Sequence, residues 1–482
     1  MEPTIDCFST ATDMLAALAS KAVSSVELTQ EHIDRIERLD RTLNAIAIRT
    51  PERALEAARR ADAARGRGDN AGALLGLPMT VKESTMVAGL PQSAGIPSLA
   101  GHVPTTDGPI ARSLFSAGVG LLGKTNIPVA LSDWQADSPV YGRTVNPWDH
   151  SRTPGGSTGG GAAALAVGLT PLEIGSDIGG SIRVPAAYCG VYGHRPSETA
   201  VPRAGAFPFA DAPNPAAVMG VQGPMARCAA DLELLFDVIA GPEDGESTGF
   251  REQLPAARHD RLADFRVAVM PDQLLATVSN EVQQRLDELV DMLARTGATV
   301  VEAMPAIDAE SHLHDYLTLL AVRTSGGVDR ATREAQAKAI ADSGDPMAIA
   351  QAAGLVLDAN DFMALLSRRE SARAAWHTFF ADWDVLVAPV ALDVAFPHAT
   401  EMQGTRMLVV DGVEVPYSRN IVHSHWAIFA GQPATAFPAG LNAAGLPIGL
   451  QALGPYLEDR TTLRFARLLE REWHRYQRPP GV

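Results

Sequence analysis

Residues 152–197 read RTPGGSTGGGAAALAVGLTPLEIGSDIGGSIRVPAAYCGVYGHRPS, and the interpretation of the whole chain starts from them. Two serines, Ser157 and Ser181, stand among the glycines of this stretch. Glycine loses more backbone freedom on folding than any other residue, so glycines kept beside a hydroxyl indicate backbone that approaches another group closely, most simply a substrate. The apolar runs between the glycines bury well, which distinguishes the stretch from a flexible glycine–serine linker. It contains no Gly-x-x-x-x-Gly-Lys-Ser/Thr run, so phosphate binding by these glycines is not favoured.

The composition is that of an ordinary soluble globular protein with a negative net charge. The chain has 482 residues, 46% of them hydrophobic and 20% charged, enough for one large core or several ordinary ones. The formal net charge of −16 argues against nucleic-acid binding, which needs a clustered positive surface. The first residues show no basic region followed by an apolar run, and no run of about eighteen apolar residues occurs, so neither secretion nor membrane spanning is indicated. Cys7, Cys189 and Cys228 lack the spacing of a zinc site or a disulfide framework, and we expect a cytoplasmic protein.

Helical and strand patterns alternate along the chain and predict an α/β fold. Ser24 and Glu27 have the spacing of a capping box at the start of an amphipathic helix. Residues 74–83 read as a short buried strand that ends on a lysine. Residues 265–301 read as strand, helix and strand, the pattern of a parallel crossover unit. Further helices are predicted at 51–65, 110–117 and from 459 onward, a helical region at 307–382, and strands at 119–122, 385–389, 431–440 and 445–454.

Three functional groups of the chain can be combined into a catalytic centre: Lys82, Ser157 and Ser181. A serine hydroxyl is a weak nucleophile until a base takes its proton. A lysine becomes such a base when burial disfavours its charged form and lowers its pKa. A neutral Lys82 would take a proton from Ser157 while Ser157 takes one from Ser181. The sequence therefore predicts a two-step proton relay.

Three segments, taken in chain order, resemble the amidase signature family, whose members hydrolyse amides with a Ser-cisSer-Lys triad. They are Lys82, residues 154–160 (PGGSTGG) and residues 175–185 (GSDIGGSIRVP), and the resemblance extends over most of the chain. It implies a three-layer α/β/α sandwich around a large mixed β-sheet. Residues 1–482 would form a single domain in which residues 307–382 are a helical substrate-pocket or cap insertion. The resemblance also implies a small-molecule amide as substrate, no cofactor and no metal, and it leaves a homodimer open.

Carried over position by position, the resemblance assigns a role to each residue of the site. Ser181 is the acylated nucleophile, Ser157 the bridging serine after a cis peptide bond, and Lys82 the general base. The other assignments are an oxyanion hole of the backbone N–H groups of Ile178, Gly179, Gly180 and Ser181, a surrounding layer of Ser176, Asp177 and Arg183, and substrate contacts from Trp134, Gly155 and Gly156. Ser176 is expected to hydrogen-bond the catalytic serine. The chain departs from the family pattern at Glu83, Thr158 and Gly161, beside the triad and not within it.

The resemblance implies a serine amidase that forms a carboxylate and an amine or ammonia through an acyl-enzyme. We expect a stand-alone bacterial enzyme similar to aryl acylamidases, with a broad or bulky apolar substrate. Two alternatives use the same triad. One is a carbamate or ester hydrolase, and the other is the glutaminase subunit of a tRNA-dependent amidotransferase, which works with a partner protein.

Two further alternatives involve histidine. Residues 155–159 (GGSTG) also fit the nucleophile elbow of an α/β-hydrolase, which would make Ser157 the nucleophile and a histidine its base. That motif needs a strand directly before it, and residues 150–154 make a poor strand. The pairs His312/His314 and His423/His425 raise the alternative of a metal site. Because imidazoles at i, i+2 on a helix diverge, we instead expect them at the surface or along the pocket.

Overall fold

One β-sheet of eleven strands runs through the chain and carries the glycine-rich stretch near its middle. The structure is a computed structural model that describes residues 5–69, 72–210, 218–251, 253–272 and 274–482. The helices of this part of the chain are α1 Ala11–Ser20, α2 Ser25–Leu43, α3 Pro51–Gly66, α4 Pro109–Ser116, α5 Gly159–Ala166, α6 Arg183–Cys189, α7 Ala229–Ile239, α8 Asn280–Thr296, α9 Ala309–Thr324, α10 Arg330–Ala341, α11 Pro346–Leu355, α12 Ala359–Asp382, α13 His425–Phe429 and α14 Asp459–Glu472. The strands are β1 Ile46–Arg49, β2 Pro78–Lys82, β3 Gly120–Thr125, β4 Asp137–Ser138, β5 Gly142–Arg143, β6 Leu172–Asp177, β7 Tyr192–Arg195, β8 Val221–Ala226, β9 Arg266–Val269, β10 Thr299–Glu302, β11 Val385–Pro389, β12 Met407–Val410, β13 Val413–Pro416, β14 Ala434–Leu441 and β15 Pro447–Leu453.

The sheet is mixed, as the resemblance implies. Its strands lie in the order β1-β3-β2-β6-β8-β7-β14-β15-β11-β9-β10. β2 is parallel to β3 and β6, and β9 is parallel to β10 and β11. The strands between these two parallel groups pair antiparallel. The strand pairs β4–β5 and β12–β13 lie outside this sheet.

β2 presents its side chains alternately to the two faces of the sheet. Met79 and Val81 belong to a large apolar cluster that also contains residues of α4 and α7. Thr80 and Lys82 point to the opposite face, because successive side chains of a strand alternate. The lysine that ends this strand is therefore directed into the protein and not along a solvated edge.

β6 repeats the same alternation beside β2. Leu172 and Ile174 lie in the cluster of Met79 and Val81, and Glu173 points to the opposite face. A second apolar cluster, which includes residues of α5 and α6, covers that opposite face. Helices thus pack on both sides of the sheet, and the predicted three-layer α/β/α fold is confirmed.

Several predicted elements form where the sequence places them. Ser24 caps α2 with a reciprocal capping box, in which the Ser24 N–H donates to the Glu27 carboxylate at 2.9 Å. β9, α8 and β10 form the predicted crossover unit with a parallel strand pair. β14 and β15 pair antiparallel, and the helices α9 to α12 occupy the predicted helical region. Four strands of the large sheet, β1, β6, β7 and β8, and the two small pairs β4–β5 and β12–β13 are not among the predicted strands.

A segment outside the glycine-rich stretch matches the spacing of a phosphate-binding loop. Residues 118–125 read GVGLLGKT, which fits Gly-x-x-x-x-Gly-Lys-Thr. In the structure, six of these residues are β3, a fully buried strand between β1 and β2, whereas a phosphate loop connects a strand to a helix. The buried Lys124 donates to the carbonyl oxygen of Pro91. The match does not indicate nucleotide binding here.

Candidate active site

Lys82 is buried at the end of β2 and contacts two serines. Its side chain is 0% exposed. Its Nζ donates to Ser157 Oγ at 2.7 Å and to Ser176 Oγ at 2.9 Å. Burial lowers the pKa of Lys82 to about 7, although nearby carboxylates act in the opposite direction. A large fraction of Lys82 is therefore neutral near pH 7 and can accept a proton.

The position of Ser176 differs from the one expected. The sequence predicts a hydrogen bond between Ser176 and the catalytic serine, whereas the structure places the Ser176 hydroxyl against Lys82. Ser176 lies on β6, the strand that pairs in parallel with the strand of Lys82. Together with Ser157 it fixes the direction of the amine.

Ser157 follows two glycines that pack closely against the backbone of other segments of the chain. The Gly156–Ser157 peptide bond is cis, and Ser157 is 1% exposed. Gly155 has φ of +83°, and a Cβ there would lie 2.6 Å from Pro185 Cα. A Cβ on Gly156 would lie 2.3 Å from the carbonyl oxygen of Asp133. Both glycines thus make room for protein backbone, and their substrate contacts stay a prediction.

Ser181 precedes α6 and lies close to the turn that carries Ser157. Its backbone carbonyl accepts a hydrogen bond from Thr158 N at 3.2 Å, and the residue is 5% exposed. Within the described residues, its hydroxyl makes no hydrogen bond. The hydrogen bond between Lys82 and Ser157 is therefore formed, and the hydroxyl of Ser181 has no hydrogen-bond partner in the part of the chain that the structure describes.

Asp177 organises the loop between β6 and α6. Its carboxylate accepts from Gly180 N at 2.9 Å, Ile182 N at 3.2 Å and Arg183 Nε at 3.0 Å. Burial by itself would raise the pKa of Asp177, but the guanidinium groups of Arg183 and Arg195 outweigh burial and lower it to about 2. The carboxylate is therefore a permanent charge, and it holds the turn in one shape.

This arrangement bears on the predicted oxyanion hole. The Gly180 N–H is occupied by Asp177, whereas within the described residues the N–H groups of Ile178 and Gly179 make no hydrogen bond. Tyr316, on α9, donates its hydroxyl to the Ile178 carbonyl at 3.1 Å. In a trans peptide the C=O and the next N–H point in opposite directions, so this bond turns the Gly179 N–H away from Tyr316.

Trp134 contacts the loop between β6 and α6. Its indole N–H donates to the Gly179 carbonyl at 2.9 Å, and the residue is buried. Its backbone N–H donates to the Tyr417 hydroxyl at 2.9 Å, and the two rings meet edge to face. The structure thus brings Trp134 to the candidate site, where its observed contact is with the loop.

Two residues near the triad have no role in the sequence analysis. Tyr316 lies far from the glycine stretch in sequence, and nothing in its local pattern indicates contact with Ile178. Glu173 is fully buried and accepts hydrogen bonds from the hydroxyls of Thr80 and Thr125. A signal for Glu173 was present, because a glutamate between Leu172 and Ile174 occupies an inward position of a buried strand.

The histidine alternatives receive little support from the geometry. Within the described residues, no histidine nitrogen is hydrogen-bonded to Ser157 or Ser181. His314 is exposed, whereas His312, His423 and His425 are buried, so for these three only a position along the pocket stays a prediction. His312 stacks on Trp426 with ring centroids 4.6 Å apart. The described part of the chain contains no group of three or more histidine, cysteine, aspartate or glutamate side chains arranged to hold a metal ion.

Two other features relate to the sequence analysis. Across the described ranges, no helix combines the length and apolarity that crossing a membrane requires. Cys7, Cys189 and Cys228 are buried free thiols. Burial raises the pKa of all three, so each is held as an unreactive thiol.

Comparison with known proteins identifies the family. A family model described as Amidase matches residues 27–463. A glutamyl-tRNA(Gln) amidotransferase subunit from Cutibacterium acnes is 31% identical over 495 residues, covering 96% of this chain and 95% of that protein. Indoleacetamide hydrolase of Bradyrhizobium diazoefficiens is 30% identical over 453 residues, covering 93% of this chain and 84% of that protein. The inhibitor-bound form of a complex connected with an s-triazine catabolic enzyme superposes with a TM-score of 0.82 at 27% identity, covering 97% of this chain and 100% of that chain. On these matches, the chain belongs to the amidase signature family of hydrolases.

Proposed function

We propose that this protein is a serine amidase that hydrolyses a C–N amide bond to a carboxylate and an amine or ammonia through an acyl-enzyme on Ser181. The observation that carries the proposal is the buried contact of 2.7 Å between Lys82 Nζ and Ser157 Oγ. It supplies a base of lowered pKa, about 7, to a serine that lies next to the glycine-flanked Ser181.

Acylation uses the relay in one direction. Lys82 takes the proton of Ser157, Ser157 takes that of Ser181, and Ser181 Oγ attacks the amide carbon. The developing oxyanion is held by the backbone N–H groups of Ile178, Gly179 and Ser181. The Gly180 N–H, also assigned to the oxyanion hole from the sequence, is left out because it donates to Asp177. Loss of one such donor costs roughly 3 kcal/mol. The C–N bond breaks as the relay returns the proton to the leaving nitrogen.

Deacylation repeats the path with water in place of Ser181. Water attacks the ester carbon and gives a proton to Ser157, which passes its own to Lys82. When the ester bond breaks, the proton returns to Ser181 Oγ, and the free enzyme and the carboxylic acid are regenerated. Each proton that Lys82 accepts is returned within the same half-reaction, so no external base is consumed.

The surroundings of the loop favour a bulky, uncharged substrate. Trp134 contacts Tyr417 with ring centroids 6.2 Å apart, and Tyr417 contacts Phe396 at 5.7 Å. Ile421 Cδ1 and the Tyr316 hydroxyl both lie 3.6 Å from the position of a Cβ on Gly179. Aromatic and aliphatic side chains thus border the loop that would bind the amide carbonyl.

The charged side chains near the loop are paired with one another. Asp177 faces Arg183 at 3.0 Å, and Asp133 faces Arg406 at 2.8 Å. Glutamine has a charged ammonium group and a charged carboxylate group attached to its α-carbon. Each of these charges, once buried, needs a partner of opposite charge or a hydrogen-bond partner in the protein. This pairing supports an uncharged aryl or alkyl amide over an amino-acid substrate.

The test is turnover of a substrate panel by the purified chain alone. We expect hydrolysis of indole-3-acetamide or a p-nitroanilide, with Ser181→Ala as the inactive control and a serine-linked acyl mass in quenched wild-type reactions. Preference for a urethane or an ester would assign the same triad to carbamate or ester hydrolysis. Activity of Ser181→Ala equal to that of the wild type would refute the proposal.

A second candidate is the glutaminase subunit of a tRNA-dependent amidotransferase, which the similarity to the Cutibacterium acnes amidotransferase chain favours. That function requires glutamine as substrate and a stable complex with a partner protein. Glutamine hydrolysis that appears only with co-purified partner proteins would support it. Size-exclusion chromatography of the isolated chain would also test the homodimer.

The remaining assignments belong to the same proposal. Residues 1–482 would act as a single domain in a cytoplasmic enzyme without cofactor or metal. Residues 307–382 would form a helical cap on the substrate pocket. The bond from the Tyr316 hydroxyl on α9 to the Ile178 carbonyl supports a role for this segment next to the catalytic loop.

A further inference from the structure

Tyr316 joins the helical segment 307–382 to the catalytic loop, and the acylation and deacylation steps do not use it. The residue lies on α9 and is 0% exposed. Its hydroxyl donates to the Ile178 carbonyl at 3.1 Å, and its ring lies 5.7 Å from that of His425, centroid to centroid. Burial raises the pKa of Tyr316 far above the ordinary value for tyrosine. The hydroxyl therefore keeps its proton and stays a hydrogen-bond donor.

The carbonyl groups of the loop between β6 and α6 are each held by a donor from a different place in the chain. Asp177 O accepts from Arg195 Nη1 at 2.7 Å, Ile178 O from the Tyr316 hydroxyl, Gly179 O from Trp134 Nε1 at 2.9 Å, and Gly180 O from Val184 N at 2.8 Å. The C=O and the next N–H of a trans peptide point in opposite directions, so a donor that fixes a carbonyl also fixes the N–H behind it. The loop is thus held from its carbonyl side.

Two neighbouring peptide units of this loop are held in different ways. The unit between Gly179 and Gly180 is bound at both ends, because Trp134 donates to its carbonyl and its N–H donates to Asp177 at 2.9 Å. The unit between Ile178 and Gly179 is bound at its carbonyl by Tyr316, and within the described residues its N–H makes no hydrogen bond. The direction of the Gly179 N–H therefore depends on Tyr316.

The unit between Ile178 and Gly179 also has freedom to turn over. Gly179 has no Cβ, and Gly180 after it has φ of +88°, so backbone rotation on this side meets little steric resistance. In the flipped unit, the Ile178 carbonyl would take the place of the Gly179 N–H and present an acceptor to the developing oxyanion. The flip would also break the bond from Tyr316. That bond opposes the one rotation that would turn a stabilising donor into a repelling acceptor.

From these contacts we propose that Tyr316 is a positioning residue that keeps the Gly179 N–H directed at the carbonyl oxygen of the substrate. This rests on the proposed function, in which that N–H is a donor of the oxyanion hole. Tyr316 acts through the peptide between Ile178 and Gly179 and not on the substrate itself. Since Tyr316 lies on α9, the segment 307–382 contributes to the chemical step as well as to the pocket.

The experiment compares the wild type with Tyr316→Phe, which keeps the ring and removes the hydroxyl. One readout is kcat and KM with a p-nitroanilide. We expect kcat to fall by about 10-fold, less than the roughly 10²- to 10³-fold of a deleted oxyanion donor, because the Gly179 N–H is misdirected and not removed. KM should stay within about 2-fold, since the oxyanion forms only after the substrate has bound.

A second readout is the inhibition constant of phenylboronic acid. Ser181 Oγ bonds to boron, the relay takes up the hydroxyl proton, and one oxygen of the resulting tetrahedral boronate lies where the oxyanion would form. This constant should rise in Tyr316→Phe by about the factor by which kcat falls, because both report interactions made in the tetrahedral state. A general loss of stability would lower the fraction of active enzyme and leave the inhibition constant unchanged.

Two further variants complete the test. Tyr476→Phe is the matched control, because its hydroxyl also donates to a backbone carbonyl, that of Ala166 at 2.7 Å at the end of α5, and it should keep the wild-type kcat and inhibition constant. Trp134→Phe removes the donor to the adjacent Gly179 carbonyl, and it should weaken boronate binding even if Tyr316→Phe fails to fold.

The outcomes separate the inference from the proposed function. Wild-type kcat and boronate binding in Tyr316→Phe, or equal losses in Tyr476→Phe, would overturn the inference while Ser181→Ala remains inactive. If Tyr316→Phe does not fold, unchanged boronate binding in Trp134→Phe would do the same. Equal boronate binding by the wild type and Ser181→Ala would instead overturn the proposed function.

Discussion

Lys82 Nζ lies 2.7 Å from Ser157 Oγ, although the two residues are 75 positions apart in the chain. The contact joins the end of β2 to the turn that precedes α5. Lysine is rarely fully buried, and at the end of a strand it is ordinarily solvated. Here the strand order places Lys82 between β3 and β6, so that its amine reaches the face on which the two serines lie.

Substitution of each residue of the relay should lower turnover, and the size of the loss should differ among the three residues. Ser181→Ala and Lys82→Ala remove the nucleophile and the base, and we expect each to lower kcat/KM by about 10³-fold or more. Ser157→Ala leaves both of these groups, so the loss should be somewhat smaller. Steady-state kinetics with a p-nitroanilide measures all three. Ser367→Ala, on an exposed part of α12, is the control and should match the wild type.

The rate should depend on pH through the amine of Lys82. The base acts only when it is neutral, and its pKa is lowered to about 7 by burial. We therefore expect kcat/KM to rise with pH below about 7 and to level off above it. Lys82→Arg should be inactive at every pH, because a guanidinium does not lose its proton in proteins. An acid limb near the ordinary pKa of lysine, or activity in Lys82→Arg, would contradict this assignment.

Asp177→Asn should destabilise the fold as well as the loop. The substitution leaves the buried guanidinium groups of Arg183 and Arg195 without their counter-charge, and breaking a buried pair costs about 3–5 kcal/mol. Thermal denaturation should show a clearly lower Tm. The matched control is Glu56→Gln in an exposed pair with Arg60, where the change should stay within about 1 kcal/mol.

The lowered pKa of Asp177 predicts how the stability of the folded protein changes at acid pH. The pKa of Asp177 is about 2 in the folded protein, below the value of about 3.9 for an unperturbed aspartate. A lowered folded-state pKa contributes stability that is present above the unfolded value and is lost as pH falls toward 2. The wild type should therefore lose stability over this range, and Asp177→Asn should lose less of what remains. Equal losses in both proteins would contradict the role of this carboxylate.

The sequence carries the triad and most of the fold because both are encoded locally. Local sequence alone predicts the short motifs around Ser157 and Ser181 and the strand that ends on Lys82. The contact of Tyr316 with Ile178 is not, since it joins residues 138 positions apart and depends on how α9 packs. The same holds for the Gly180 N–H, whose partner Asp177 is set by the shape of the turn. Long-range packing decides the first contact and the shape of a three-residue turn decides the second, and residue type alone predicts neither.

Gly161→Ala should reveal the packing of Glu173 against α5. Alanine is favoured over glycine within a helix by about 0.5–1 kcal/mol, so the substitution would stabilise the protein if the space were free. The added Cβ would instead lie within 2.9 Å of three atoms of Glu173, two of them carbons held inside the core. Overpacking of a core typically costs about 1–3 kcal/mol, and we expect a lower Tm. Gly66→Ala is the control, because that helical glycine has no neighbour within 4 Å.

A double-mutant cycle separates this contact from a general intolerance of α5. Glu173→Ala removes the atoms that the new Cβ would meet, so Gly161→Ala should cost much less in that background. The four proteins, compared by thermal denaturation, give the coupling between positions 161 and 173. A coupling of about 1 kcal/mol or more is expected for residues in direct contact. Equal costs in both backgrounds would mean that Gly161 is required by the helix itself and not by the carboxyl beneath Lys82.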